Sequence, residues 1–171
     1  MEQADLLGIP LGVPDTEEYE YPAHLIEGKP SKKRAETTLV IEFGSLWASP
    51  LCGDLLRRSG CRVIKIESLS RPDGARRGAP GFFDLLNGGK ESLSVDFNDD
   101  KSLEFLKKIL KEADVIIEGS RPRALRQLGI DAETEVENGK VWVSITGYGR
   151  TGPRSKGVAF GDDAAVSGGL F

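Results

Sequence analysis

The stretch that decides the fold is Thr38-Leu-Val-Ile-Glu-Phe43, followed directly by Gly44-Ser-Leu-Trp-Ala-Ser-Pro50. The first six residues form a nearly unbroken β-branched and apolar run, which predicts a buried strand. A helix is predicted directly behind the turn, over 50–59, and Gly60 ends it. This helix is expected to bury one face made of three leucines: Leu51, Leu55 and Leu56.

The alternation of strand and helix continues from this unit to residue 145. Four more strands are predicted from β-branched runs, over 62–67, 92–96, 113–118 and 141–145. Helical segments are predicted between them, over 82–86, over 98–111 with Asn98 or Asp99 as the N-cap, and over 121–128. Strands alternating with helices at this spacing favour an α/β fold, a mainly parallel Rossmann-like sheet with flanking helices.

In such sheets, ligands bind beyond the carboxyl ends of the strands. Four loops rich in Gly, Ser, Arg or Pro are predicted at that edge: 44–50, 68–78, 119–123 and 146–154. Two of them contain clustered arginines, in Ser70-Arg-Pro-Asp-Gly-Ala-Arg-Arg77 and in Gly119-Ser-Arg-Pro-Arg123. Because arginine forks suit phosphate groups, the clusters predict a polyanionic ligand such as a nucleotide or coenzyme. The alternative is a solvated loop whose arginines pair with neighbouring acids.

Three further features allow more than one interpretation. The amides at the start of the first helix favour an anion, although a plain strand-to-helix turn with Trp47 as a hydrophobic lid is the alternative. Gly147-Tyr-Gly-Arg-Thr-Gly-Pro153 is dense in glycine, which indicates a backbone that approaches something closely. The carboxylates of Asp162 and Asp163 suit a nucleophile or base, or else a turn or N-cap for the segment that follows.

Composition and charge exclude several classes of protein. The 171 residues suffice for about one domain, and 39% of them are apolar. The net charge of −4 arises entirely within residues 1–38, so the remainder is neutral and no electrostatic case for nucleic acid exists. We expect residues 1–37 to be an acidic, Pro-containing extension or linker, and 38–171 to be the folded domain. No membrane span or secretory signal is visible, which predicts a cytoplasmic protein.

Metal and triad chemistry are not expected either. Cys52 and Cys61 have no partner histidines, and the single histidine, His24, lies in the acidic extension. The two cysteines are therefore expected to be free thiols in a reducing compartment.

The ordered series of motifs over about 38–171 resembles the N-terminal part of family III CoA-transferases. That group includes formyl-CoA and carnitine CoA-transferases and 2-methylacyl-CoA racemase. The motifs are Trp47-Ala-Ser-Pro-Leu51, Gly60-Cys-Arg-Val-Ile-Lys-Ile-Glu67, Arg71-Pro-Asp-Gly74, Leu86-Asn-Gly-Gly-Lys-Glu-Ser92, Val95-Asp96, Ala113-Asp-Val-Ile-Ile-Glu118, Arg121-Pro-Arg-Ala-Leu125 with Leu128-Gly129, and Ile145-Thr-Gly-Tyr-Gly149 with Gly152-Pro153.

The resemblance implies a set of positions that bind coenzyme A: Trp47, Ala48, Ser68, Val95, Asp96, Gly119, Ser120 and Arg121. Several members of the family have phosphate-binding arginines where this chain has Ser68 and Gln127. We expect nearby arginines to replace them, Arg76 and Arg77 above all, with Arg71 and Arg123 as further candidates.

The resemblance also implies a reaction, the transfer of CoA between carboxylic acids through an acyl-aspartyl anhydride. The nucleophilic aspartate is expected beyond Phe171, because it follows a Ser-Gly-Gly that lies here at 167–169. Asp162 has a similar Gly-Asp pattern but lies upstream and is not assigned. The expected ligands are CoA, acyl-CoA and a carboxylic acid acceptor.

The chain would then act as one part of a split enzyme or as an N-terminal fragment. Its expected partner is the missing C-terminal half or a second copy in a homodimer. The alternatives are a non-catalytic CoA- or acyl-CoA-binding module, a degenerate remnant, and an acyl-CoA racemase. A racemase histidine has no candidate, because His24 lies outside the matching region.

Overall fold

A computed structural model describes residues 10, 27–29, 36–120, 122–152, 154–167 and 169. Residues 28–145 form one compact unit, and residues from 146 onward belong to a second. Each unit is described by itself below.

The first unit is built on a parallel sheet of five strands. They are β1 (Leu39–Phe43), β2 (Arg62–Ser68), β3 (Glu91–Val95), β4 (Val115–Glu118) and β5 (Val141–Ser144). The strand order is β3-β2-β1-β4-β5, and every neighbouring pair is parallel. The chain builds outward from β1 in one direction and then returns to add β4 and β5 on the other side. This places a topological switch point between β1 and β4 and confirms the predicted α/β class.

Five helices flank this sheet. They are α1 (Ala48–Arg58), α2 (Phe82–Asn87), α3 (Asp100–Glu112), α4 (Pro122–Gln127) and α5 (Ala132–Glu137), with a 3₁₀ helix at Gly74–Arg77. The predicted elements agree with these to within one or two residues at most ends, and the sequence prediction missed α5 and the 3₁₀ helix. Asp131 caps α5, because its Oδ2 accepts from Thr134 N at 3.2 Å. This D-x-x-T pattern was the available signal.

The core lies on both faces of the sheet. Val40 and Ile41 of β1 are completely buried and point to opposite faces, since side chains alternate along a strand. Ile41 joins the larger cluster, which includes Leu106 and Leu110 of α3, whereas Val40 packs with residues of the smaller cluster such as Leu56. Burial on both faces explains why β1 is a continuous apolar run.

The predicted buried face of α1 is wrong. Leu51 and Leu55 are 37% and 57% exposed, whereas Leu56 is partly buried. The helix instead buries Ser49, Pro50, Gly53 and Asp54. The physical reason is a group of charged side chains beneath the helix. They need polar partners and small residues above them, and leucines meet neither requirement.

Lys140 closes the carboxyl end of α3. Its Nζ donates to the carbonyl oxygens of Leu110, Lys111 and Ala113 at 2.7, 2.9 and 3.0 Å. Helix α3 ends at Glu112, so its last carbonyls have no amide of a following turn, and Leu110 O accepts in addition from the cap amide, Ala113 N, at 3.1 Å. A cation also suits the negative end of the helix dipole.

We expect Lys140→Met to lower the free energy of unfolding by about 1.5–3 kcal/mol, the range for hydrogen bonds to a charged group. Urea unfolding followed by circular dichroism measures this loss. The control is Lys108→Met, which replaces an exposed lysine within α3. Equal losses in the two variants would contradict the capping role.

In the second unit, helix α6 spans Gly161–Ser167. Asp162 and Asp163 lie in its first turn, and Asp163 Oδ1 accepts from Phe160 N at 2.6 Å. The turn interpretation of this acidic pair therefore describes Asp163 correctly. Gly149 and Gly152 have φ of 79° and 88°, so this loop needs glycine for its left-handed backbone.

Candidate functional site

The turns that follow β1 and β4 meet at the switch point, at the carboxyl ends of the two strands, and the switch point with these turns is termed the crevice. The turns that follow the two strands are in contact, because Gly119 N donates to Phe43 O at 2.9 Å. A Cβ at Gly44 or at Gly119 would overlap the side chain of Ser49, which is 3% exposed. The two turns therefore approach each other over Ser49, and α1 begins directly at this crevice.

Trp47 and Ala48, two predicted site residues, lie on the crevice turn and are exposed. Trp47 is 60% exposed, and its ring centroid lies 5.2 Å from that of Phe82. Trp47 also occupies the N-cap position of α1, where no side chain accepts a hydrogen bond from the helix. Pro50 has no amide hydrogen and Leu51 N donates to Trp47 O at 2.8 Å, so the amides of α1 left to donate to an anion are those of Ala48 and Ser49.

Beneath the crevice lies a buried ionic cluster, defined by Glu42, Lys65, Asp73 and Lys90. Lys65 Nζ donates to Glu42 Oε1 at 3.2 Å and to the carbonyl of Gly44 at 2.6 Å, and pairs with Asp73 Oδ2 at 3.0 Å. None of these three charged side chains is more than 1% exposed. Lys65 therefore joins strand β1, its turn and the loop after β2.

Lys90 completes the ionic cluster from the α2 side. Its Nζ donates to Glu42 Oε2 at 2.7 Å, to Pro50 O at 2.7 Å and to Asn87 Oδ1 at 3.1 Å. Burial lowers the pKa of Lys90, and the hydrogen bond to Glu42 opposes this. Gly53 of α1 has no room for a side chain, since a Cβ there would overlap the Glu42 carboxylate. The cluster thus explains the polar, small-residue face of α1.

The loop after β2 is anchored by Glu67. Its carboxylate accepts from Arg76 Nε at 3.0 Å and Nη2 at 2.6 Å, from Asp73 N at 2.9 Å and from Ser92 Oγ at 3.2 Å. The Arg76 guanidinium also stacks 3.9 Å above the Phe83 ring. Arg76 is therefore paired with a neighbouring acid, the alternative stated above for these arginines.

Folding strongly lowers the pKa of the Glu67 carboxyl group. The Arg76 hydrogen bonds lower its pKa from 4.5 to about 2 against the opposing effect of burial. A carboxyl whose pKa is depressed by folding stabilises the protein above its unfolded pKa, and this contribution is lost as pH falls towards the folded pKa.

We expect this group alone to remove on the order of 3 kcal/mol of unfolding free energy between about pH 5 and pH 2. Glu67→Gln should be less stable at pH 7 and show a shallower decline over this range. Urea unfolding at a series of pH values measures both, with the exposed Glu104→Gln as control. A Glu67→Gln slope as steep as that of the wild type would refute this.

The remaining predicted residues of this edge differ in accessibility. Arg71 and Arg77 are exposed, and Ser68 Oγ lies 3.1 Å from Ser70 Oγ at the end of β2. Val95, at the end of β3, is a core residue that is 3% exposed, and its carbonyl oxygen accepts from Leu69 N at 2.9 Å. Asp96 Oδ1 accepts from Asn98 N at 2.9 Å, which uses one carboxylate oxygen in a turn.

On the β4 side, Gly119 is exposed and Ser120 is half-buried. Ser120 Oγ is shielded from solvent and has no hydrogen-bond partner among the described residues. Arg121 lies outside the described residues, and Arg123 is exposed on α4. The loop over 146–154 belongs to the second unit, so its predicted place at this edge stays a prediction.

Sequence reasoning missed the polar groups beneath the crevice. Besides the ionic cluster, these include Glu118, whose buried Oε1 accepts from Trp142 Nε1 at 3.0 Å and from Ser144 Oγ at 2.8 Å. The available signal was charged residues inside otherwise apolar strands, such as Lys65 between Ile64 and Ile66.

A cavity of about 400 Å³ opens at the opposite edge of the sheet. It is lined by the first residues of three strands, Leu39, Arg62 and Glu91, and by apolar residues such as Phe105. Arg62 is engaged there by Glu91, at 2.6 Å. This cavity is mostly apolar and its arginine is neutralised, so it suits a polyanionic ligand poorly.

Within the described part of the chain, no group of three potential metal ligands comes together. None of the helices described is long and apolar enough to cross a membrane. Cys52 and Cys61 are both free and half-buried, and burial raises the pKa of the Cys52 thiol.

The sheet order defines a Rossmann-like α/β protein with a topological switch point between β1 and β4. Comparison with known sequences makes the family explicit. The chain belongs to CoA-transferase family III, whose sequence profile matches residues 36–171. The resemblance inferred from the ordered motifs is thereby confirmed.

Individual relatives agree with this family. The chain is 34% identical to (R)-2-hydroxy-4-methylpentanoate CoA-transferase of Clostridioides difficile, over 69% of this chain and 33% of that protein. It is 28% identical to succinyl-CoA–D-citramalate CoA-transferase of Chloroflexus aurantiacus, over 77% of this chain and 35% of that protein. The crystal structure of a CAIB/BAIF family protein from Brucella suis is 30% identical with a TM-score of 0.71, covering 77% of this chain and 38% of that one. The chain thus spans about a third of the length of these relatives.

Proposed function

We propose that this chain supplies the coenzyme-binding part of a CoA-transferase that moves CoA between carboxylic acids. The observation that carries the proposal is the β1–β4 switch point, where α1 begins with uncapped amides at the same edge of the sheet as exposed arginines. Coenzyme A combines phosphate groups with an aromatic base and an extended thiol arm. An edge with amide donors, guanidinium groups and an exposed indole matches that chemistry.

In the proposed arrangement, Trp47 offers an apolar face and the amides of Ala48 and Ser49 donate to a phosphate. Arg77, with Arg71 and Arg123, supplies guanidinium groups for the remaining phosphates, because Arg76 is held by Glu67. Ser68, Asp96 and the backbone of Val95 border the same edge. Gly119, Ser120 and Arg121 complete the proposed contacts on the β4 side.

The proposed reaction proceeds by acyl transfer to an aspartate expected after the Ser-Gly-Gly at 167–169. The aspartate oxygen attacks the acyl-CoA carbonyl, and the carbon–sulfur bond breaks to give the mixed anhydride and CoA thiolate. The thiolate then attacks the aspartyl carbonyl, which releases the donor carboxylate. The acceptor carboxylate then attacks the resulting aspartyl-CoA thioester, which forms a second mixed anhydride and releases CoA thiolate. The thiolate attacks the acceptor's acyl carbonyl, which gives the product acyl-CoA and regenerates the aspartate.

We further propose that the complete catalytic unit includes a C-terminal half or a second copy of the chain, and that it works in the cytoplasm. A non-catalytic CoA-binding module is the second candidate.

Calorimetric titration with CoA and with acetyl-CoA tests the proposal, using Arg77→Ala and Arg62→Ala as a matched pair. Arg77 follows the end of β2 and Arg62 begins it, so the two arginines lie at opposite edges of the sheet. We expect saturable binding that weakens about tenfold in Arg77→Ala, equivalent to one charge-assisted phosphate contact, and is unchanged in Arg62→Ala. Absence of binding by the folded protein, or equal effects of the two variants, would contradict the proposed site.

A further inference from the structure

Asp73 connects the two turns that border the crevice on the β1 side. Its carboxylate accepts from Leu46 N at 3.0 Å, from Ala75 N at 2.9 Å, and pairs with Lys65 Nζ at 3.0 Å. The side chain is completely buried. One carboxylate therefore bonds the turn after β1, the 3₁₀ helix after β2 and the interior of the sheet.

The conformation of Leu46 shows what this connection does. Leu46 has φ of 68°, in the left-handed region that non-glycine residues adopt at a cost. Its side chain is 45% exposed, so burial of the leucine does not explain the strained backbone. The hydrogen bond from Leu46 N to Asp73 is the interaction that favours this conformation.

Asp73 is itself held from below. Its amide donates to Glu67 Oε1 at 2.9 Å, and Glu67 is fixed in turn by Arg76 and Ser92. The position of Asp73 is thus determined by β2 and transmitted to Leu46. Trp47, the next residue, is the N-cap of α1 and projects into solvent.

We propose that Asp73 is a positioning residue, which imposes the left-handed turn at Leu46 and so presents Trp47 and the first amides of α1 to the coenzyme. The effect on the turn stands on geometry alone. The effect on the coenzyme rests on the function proposed above.

The test compares Asp73→Ala, Asp73→Asn and the double variant Asp73→Ala with Leu46→Gly. Asn keeps an acceptor for Leu46 N but loses the charge opposite Lys65, whereas glycine adopts positive φ without a hydrogen bond. Asp99→Ala is the matched control, since Asp99 also accepts a backbone amide, from Ser102 N at 2.8 Å, but at the start of α3.

Two readouts are measured on the full chain at a temperature where every variant is folded by circular dichroism. The first is amide hydrogen exchange at Ser45, Trp47 and Leu51, which do not bond to Asp73. The second is the Kd for CoA. We expect Asp73→Ala to accelerate exchange at these amides and to raise the Kd about tenfold. Asp73→Asn, and Leu46→Gly added to Asp73→Ala, should each reverse at least half of the change in log exchange rate and in log Kd that Asp73→Ala causes. Asp99→Ala should change neither the exchange rates nor the Kd.

Unchanged exchange in Asp73→Ala would overturn the proposal, as would a lowered affinity that Leu46→Gly leaves unrestored. Altered exchange with an unchanged Kd would overturn its coenzyme part. If the wild-type chain binds no CoA, the proposed function fails, and accelerated exchange in Asp73→Ala still supports the role of Asp73 in the turn. The two failures are therefore distinguishable.

Discussion

Replacement of Lys65 by methionine is expected to lower the free energy of unfolding by about 3–5 kcal/mol, the cost of removing one partner from a buried ion pair. Lys65 balances Glu42 and Asp73, and all three side chains are at most 1% exposed. Without Lys65, Glu42 is still paired with Lys90, but the buried Asp73 carboxylate loses the cation that balances its charge. A total stability of about 5–15 kcal/mol makes such a loss easy to detect.

Urea unfolding followed by circular dichroism measures this effect, and two variants serve as controls. Arg62→Met removes an exposed cation from the first position of the same strand and should cost at most about 1 kcal/mol. Lys65→Met combined with Asp73→Asn removes both charges and should recover part of the loss. Equal losses for Lys65→Met and Arg62→Met would contradict the ionic cluster.

The second large effect is expected at the two glycines of the crevice. Gly44→Ala should cost about 3 kcal/mol, since its Cβ would overlap the Cβ of Ser49 in a buried contact. Gly119→Ala should cost about 2 kcal/mol by overlap with Ser49 Oγ, the atom at the end of the same side chain. Neither glycine is required by positive φ, so space alone is the cause.

Removal of Ser49 Oγ distinguishes the two glycines. In a Ser49→Ala background, the Cβ of Gly119→Ala has its nearest remaining neighbour at 3.5 Å, so most of its cost should disappear. The overlap of Gly44→Ala involves the Cβ of residue 49, which alanine keeps, so its cost should remain. The unfolding free energies of Gly44→Ala and Gly119→Ala, each measured alone and combined with Ser49→Ala, give the coupling. The single variants are compared with the wild type and the combined ones with Ser49→Ala. Equal rescue of both glycines would refute the packing described at the switch point.

Local sequence pattern was sufficient for the sheet. The run from Leu39 to Phe43 is apolar because β1 is buried on both faces, and the helix and strand alternation after it determines parallel pairing. Helix α5 was missed because its six residues, Ala-Glu-Thr-Glu-Val-Glu, include three acids and a single large apolar side chain. Only its Asp131 cap indicated a helix start.

Local sequence pattern failed where charged side chains are buried by tertiary contacts, because leucines next to them are then left exposed. In α1 the leucines at 51 and 55 are exposed because the helix covers the ionic cluster with Pro50 and Gly53 instead. In the sequence, Lys65 resembles an ordinary polar residue of an alternating strand. Its burial depends on Glu42 and Asp73, which lie 23 and 8 positions away. The pairing of Arg76 with Glu67 likewise requires the fold of the loop between them.

For the candidate site, the sequence placed Trp47, Ala48 and Gly119 correctly at the carboxyl edge of the sheet. It did not reveal which arginines are available. Arg76 and Arg77 are adjacent, yet the first is paired and stacked on Phe83 and the second is exposed. Their difference follows from the 3₁₀ helix at Gly74–Arg77, which the sequence pattern does not indicate.

The proposed CoA site lies at the carboxyl edge of this sheet, around the β1–β4 switch point. Amide hydrogen exchange with and without saturating CoA tests it most directly. We expect slower exchange in 44–51, 69–78 and 119–124, and no change around Arg62 and Glu91 at the opposite edge. Protection confined to the opposite edge, or binding without any change at the three segments, would contradict the site.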